Sequence, residues 1–207
     1  LPTTRLVSEK RLNTPNAITV ARIVITPVIA WLILEGGLAQ RWAAFLLFTA
    51  AAVSDVVDGK LARSNEQITR FGMLLDPIAD KLLVLVTFLP LYGLGLLPLW
   101  FVLLVLGRDF AMTAFRRFAL SRGELIAASG WGKSKTVIQN GFVGAILVHR
   151  INQGYDLEGV SGAAWEHWQG YTLAVIEVAF WFVVVLTVVS LLDYLYSHRG
   201  LWTGQAA

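Results

Sequence analysis

The 207-residue chain is 56% hydrophobic, only 15% charged and free of cysteine. That composition excludes a water-soluble enzyme built on one core, and the missing thiols exclude disulfides and thiolate-held soft metals. The net charge of +3 is no sign of nucleic-acid binding, because the basic residues gather in the segments that flank apolar runs, where membrane topology places them.

Six apolar stretches are long enough to cross a bilayer, at about 16–35, 40–62, 71–93, 97–119, 134–151 and 171–195. In lipid every backbone polar group must be satisfied within the segment, so they are expected to be helices. The expectation is an all-α integral membrane protein, a single domain over 1–207 with six spans. Lys and Arg crowd residues 1–15 and the connections after the second and fourth stretches, whereas Glu35, Asp156, Glu158 and Glu166 mark the other side. Both termini are therefore expected in the cytoplasm, in a multi-pass protein of the bacterial inner membrane.

Residues 1–15 are polar with scattered Leu and Val, compatible with a short helix on the membrane surface. The first span opens at Asn13-Thr14-Pro15-Asn16, a turn and capping cluster without a small-residue cleavage site, and is read as retained. Asn16, Thr19 and Arg22 recur at i, i+3 and i+6. Either Asn16 caps the helix while Arg22 snorkels to the interface, or this side faces a polar cavity. Pro27 is expected to kink the helix.

The second and third spans carry Asp55 and Asp58, then Asp76 and Asp80. Spacings of three and four residues put each pair on one helix face. Four unpaired carboxylates converging at the edge of hydrocarbon would repel strongly, so a cation belongs there. Hard oxygen ligands suit Mg²⁺, with Mn²⁺ or Ca²⁺ as alternatives, and four aspartates suffice for two ions. Gly59 permits close approach to the backbone, and Arg63 suits bidentate phosphate binding. Taken alone, Asp76-Pro77 also reads as a helix cap, a reading that leaves Asp80 and the first pair without a role.

The fourth span holds adjacent Arg108 and Asp109, then Arg116 and Arg117. Neighbours in sequence do not share a helix face, so each of the first two is expected to find its partner elsewhere, in the aspartate cluster or on a ligand. Gly132-Lys133-Ser134-Lys135-Thr136 lacks the upstream glycine and the strand of a nucleotide phosphate loop. Two lysines and two hydroxyls at a helix start still suit a phosphate; the other reading is topological charge. After His149 and Arg150 comes an expected loop over 152–170, with Trp165 and Trp168 as interface anchors. Glu177 is expected to pair with His149 or Arg150.

The run from Asp55 to Asp80, D-x2-D-G-x2-A-R-x8-G-x3-D-x3-D, resembles the signature of the CDP-alcohol phosphotransferase family in every fixed position and spacing. The resemblance implies transfer of a phosphate-linked group from a CDP-alcohol to an acceptor hydroxyl, with release of CMP. It implies two Mg²⁺ ions, Mn²⁺ being possible, held by Asp55, Asp58, Asp76 and Asp80, the last also acting as general base. It assigns Gly59, Ala62, Arg63, Thr69 and Gly72 to the CDP-lipid, and Asn16 and Thr19 join them if their side faces the cavity. It further implies a homodimer. The 16–22 segment, the Arg70–Lys81 run and the 132–136 segment resemble members that use CDP-diacylglycerol and sn-glycerol 3-phosphate, with Asp109 where Glu is often found. Arg108, Arg116, Lys133 and Lys135 are then candidates for the acceptor phosphate. Inositol phosphate, inositol and serine remain alternative acceptors. A divalent-cation transporter is the reading from another class, and it leaves Gly59, Arg63 and Gly72 without a role.

Overall fold

A computed structural model describes residues 14–64, 70–121, 130–155 and 162–197. The described residues form helices only: α1 (Thr14–Leu34), α2 (Leu38–Ser64), α3 (Arg70–Gly93), α4 (Leu99–Ser121), α5 (Gly130–Gly154) and α6 (Ala163–Ser197). The shortest has 21 residues, about 31 Å at 1.5 Å per residue, so each is at least as long as the hydrocarbon layer of a bilayer is thick. By length and apolarity together, two described segments qualify as membrane spans, Ala17–Leu34 with mean hydropathy 2.2 and Trp165–Tyr194 with 2.6. Helices α2 to α5 carry charges within their length, which lowers their mean hydropathy.

The chain divides into two compact units, 1–96 and 97–207. In the first, α1 packs against both α2 and α3. Its inward stripe runs Thr19, Arg22, Thr26, Ile29 and Ile33, all buried, at steps of three and four residues, as one helix face requires. The stripe is polar near the start of α1 and apolar towards its end. Thr26 donates its hydroxyl to the Arg22 carbonyl (2.6 Å), and α1 runs on through Pro27 as one helix. Arg22 is only 3% exposed, so it does not snorkel. Thr14 and Pro15 are already helical, so Asn16 lies within the helix rather than at its cap.

A specific stop ends α3. Leu96 N–H donates to the Leu91 carbonyl (2.9 Å) and Gly95 N–H to that of Tyr92 (2.8 Å), with Gly95 at φ +72°. These are the paired bonds of a Schellman motif, and its left-handed position favours glycine.

In the second unit, α6 packs on α4 and α5. Phe101 lies 4.6 Å from Phe180 in a stacked pair and 5.6 Å from Phe142 edge-on, so one aromatic cluster joins all three helices. At the far end of α5, His149 and Gln153 meet Thr172 of α6. The Thr172 hydroxyl donates to the Gln169 carbonyl (2.9 Å) and so accepts from His149 Nδ1 (2.8 Å). The imidazole Nε2 then accepts from Gln153 Nε2 (3.0 Å). Both ring nitrogens are occupied, so His149 is not the partner of Glu177, which is exposed.

Helix α6 begins at Ala163, eight residues before the expected span. The connection is correspondingly shorter, and Trp165 and Trp168 are helical. Gly162 supplies the start, its carbonyl accepting from Trp165 N–H (2.9 Å) and Glu166 N–H (3.3 Å). Around both units, large apolar side chains face outward, Val24, Leu46, Leu103, Val137, Val178 and Leu192 among them, whereas Thr87, Gln139, Thr187 and Ser190 are buried. Polar groups inside and Leu and Val outside is the pattern of helices packed within lipid, where small polar residues join the interfaces. The apolar helices and this exposed surface mark membrane association.

Candidate active site

The first unit supplies the aspartate helices. Asp55 and Asp58 lie in the second half of α2, followed by Gly59, Ala62 and Arg63, and Gly72, Asp76 and Asp80 lie in the first half of α3. The three residues between α1 and α2 make those two helices antiparallel neighbours. The second half of α2 is thereby brought alongside the first half of α1, where Thr19 and Arg22 are buried. The buried polar part of α1 thus falls at the aspartate end of α2. The side chains of Asn16, Asp55, Asp58, Gly59, Ala62, Arg63, Gly72, Asp76 and Asp80, and all of Thr69, lie outside the described residues. Among the described residues no group of three or more His, Asp or Glu stands ready for a metal.

The second unit brings two candidates together around a residue given no role in the site. Lys135, only 2% exposed, donates from Nζ to Asp109 Oδ1 at 2.6 Å, and Arg108 Nη1 reaches the same oxygen at 3.0 Å. Arg108 Nη2 also donates to Ser190 Oγ on α6. Adjacent Arg108 and Asp109 therefore do pair, contrary to expectation. Their backbone positions diverge around the helix, but the long guanidinium arm curls back to its neighbour. Each still has a partner on another helix, Lys135 of α5 for Asp109 and Ser190 of α6 for Arg108. Asp109 was legible as a charge within a span; its link to Lys135, 26 residues on, was not. Arg116 and Lys133 lie in α4 and α5 with side chains outside the described residues. The whole 132–136 segment, Lys135 included, falls within α5, so it is helical.

The chain matches the model of the CDP-alcohol phosphatidyltransferase family over residues 12–189. It is 36% identical over 194 residues to a Bacillus subtilis protein named CDP-diacylglycerol–glycerol-3-phosphate 3-phosphatidyltransferase, a match covering 88% of this chain and 93% of that protein. A Cereibacter sphaeroides protein of the same name is 34% identical over 161 residues, 74% of this chain and 72% of that protein. A Streptomyces coelicolor protein named cardiolipin synthase (CMP-forming) is 41% identical over 109 residues, 51% of each chain. With the aspartate helices falling inside the matched region and the match spanning most of the sequence, the chain belongs to the CDP-alcohol phosphatidyltransferase family.

Proposed function

We propose that this protein transfers the phosphatidyl group of CDP-diacylglycerol to sn-glycerol 3-phosphate, giving phosphatidylglycerophosphate and CMP in phospholipid synthesis. The observation that carries this reading is the end-to-end likeness to the Bacillus subtilis relative of that name, joined to an unbroken Asp55–Asp80 signature.

Asp55, Asp58, Asp76 and Asp80 would hold two Mg²⁺ ions, or Mn²⁺ in their place; an all-carboxylate donor set fits these hard cations and no soft one. The metals, when bound, neutralise pyrophosphate charge and stabilise the charge that develops during transfer. Asp80 accepts the proton of the acceptor hydroxyl. The hydroxyl oxygen forms a bond to the phosphatidyl phosphorus, and the bond from that phosphorus to the CMP oxygen breaks. Gly59, Ala62, Arg63, Thr69 and Gly72, with Asn16 and Thr19 of α1, bind the CDP-lipid. Arg108, Arg116, Lys133 and Lys135 attract the acceptor phosphate. The six helices cross the bacterial inner membrane with both termini and the site on the cytoplasmic side, in a homodimer. Supporting that topology, each helix has the length to cross, and the basic residues gather on one side.

The test is CMP release by the purified full chain in detergent with CDP-diacylglycerol and glycerol 3-phosphate. Release should stop with chelator, return with Mg²⁺ or Mn²⁺, and fall about 100-fold or more in Asp80→Asn, as loss of a general base requires. Activity that survives both chelator and Asp80→Asn would refute the mechanism. The Streptomyces coelicolor relative favours a second acceptor reading, phosphatidylglycerol in place of glycerol 3-phosphate, which the same assay separates.

A further inference from the structure

Arg108, Asp109, Lys135 and Ser190 form a connected set drawn from α4, α5 and α6 of the second unit. Two cations converge on one carboxylate oxygen, so the set carries a net single positive charge. A lone carboxylate suffices to anchor one cation; two head groups drawn to Oδ1 of Asp109 are held close together despite their mutual repulsion. Among the described residues most of their donors are unspent. The ammonium has used one of three, and the guanidinium has used two of five, with Arg108 Nε buried and without a hydrogen-bond partner among the described residues. The Arg108 side chain is 9% exposed and that of Asp109 22%, so the set is largely sheltered and opens beside the carboxylate. Buried donors left without acceptors are costly, and an anion with several oxygens is the ligand that satisfies them.

We infer that Asp109 and Ser190 are positioning residues that hold Lys135 and Arg108 as a fixed two-cation clamp for a phosphomonoester, the phosphate of the acceptor. The inference rests on the proposed reaction for its substrate and adds residues to it. Asp109 fixes both head groups from one oxygen, and Ser190 sets the guanidinium from the opposite helix, so the clamp is organised before the ligand arrives. The net charge suits a phosphate group and gives less advantage to uncharged inositol or to zwitterionic serine, which has no net charge. Neither positioning residue needs to touch the reacting atoms.

The experiment measures steady-state CMP release by full-length wild type, Asp109→Asn, Asp109→Glu, Ser190→Ala and Ser190→Thr. Each substrate is varied in turn, and inorganic phosphate serves as competitor. Asp109→Asn should raise KM for glycerol 3-phosphate about tenfold or more, the scale of one lost charge-assisted hydrogen bond, and weaken inhibition by phosphate in parallel. KM for CDP-diacylglycerol should stay within about twofold. Asp109→Glu should recover most of the loss, Ser190→Ala should show a smaller rise in the same KM, and Ser190→Thr should restore it. A fall in kcat with both KM values unchanged, or equal shifts for both substrates, would overturn the clamp and leave a merely structural network. If Asp109→Asn does not fold, the Ser190 pair decides by the same split. Wild type that turns over another acceptor while ignoring glycerol 3-phosphate overturns the reaction instead, and the phosphate-competition arm then decides the clamp alone.

Discussion

Replacing Phe101 by Ala would test how the second unit holds together. The ring is fully buried and contacts Phe180, Phe142 and Trp100 at centroid distances of 4.6, 5.6 and 6.1 Å. In a water-soluble core such a truncation costs about 3–5 kcal/mol, transfer and cavity terms together. Here the unfolded reference also sits in lipid or detergent, so the transfer term largely cancels and packing remains. Three aromatic contacts at about 0.5–1.5 kcal/mol each give roughly 2–4 kcal/mol. For a chain of this length that lowers Tm by about 4–16 °C. Leu103, two residues along α4, is 59% exposed, and its truncation should cost under about 0.5 kcal/mol. Thermal unfolding of the purified protein in detergent, followed by size exclusion or intrinsic fluorescence, compares the two. Equal shifts for Phe101→Ala and Leu103→Ala would refute the inward face assigned to α4.

Two glycines at the end of α3 should respond with opposite sign. A Cβ at Gly95 or at Gly93 would meet nothing within 4 Å, so only the backbone decides. At φ +72°, Gly95→Ala should cost about 1 kcal/mol, whereas Gly93→Ala, inside the helix, should stabilise by about 0.5–1 kcal/mol; the same thermal assay reads both. Because the chain has no cysteine, single cysteines map topology without background. Gly36→Cys, between α1 and α2, should react with an impermeant maleimide on intact spheroplasts, and Arg117→Cys only after permeabilisation; the reverse order would invert the proposed orientation. Lys135→Gln should raise KM for glycerol 3-phosphate about tenfold while leaving that for CDP-diacylglycerol nearly unchanged.

Helices were the most legible feature, because long apolar runs leave the backbone little choice in lipid. The Ala17–Leu34 segment and the 171–194 part of α6 were visible from apolarity alone, and α2 and α3 were legible although aspartates interrupt them. Less legible was everything that depends on which neighbour a side chain meets. For Arg22 the sequence left snorkelling and a polar cavity both open, and packing of α1 against α2 and α3 buries that side. The early start of α6 was missed because the polar residues around Glu166 read as a connection, while the Gly162 carbonyl in fact nucleates a helix there. The Arg108–Asp109 pair was missed for a geometric reason. Face arguments treat side chains as short spokes, and a guanidinium long enough to curl back escapes them. Within the aspartate region the sequence pattern spoke through residue type and spacing, since carboxylates at three- and four-residue steps in apolar helices have few uses besides holding cations.

The most direct test of the proposed reaction is an acceptor comparison. Purified protein in detergent with CDP-diacylglycerol and Mg²⁺ would be offered glycerol 3-phosphate, inositol phosphate, inositol, serine or phosphatidylglycerol separately, with CMP and the lipid product both quantified. CMP release with glycerol 3-phosphate alone, matched mole for mole by phosphatidylglycerophosphate, is the predicted result. Release with another acceptor and none with glycerol 3-phosphate would contradict the proposed reaction while leaving the family assignment in place.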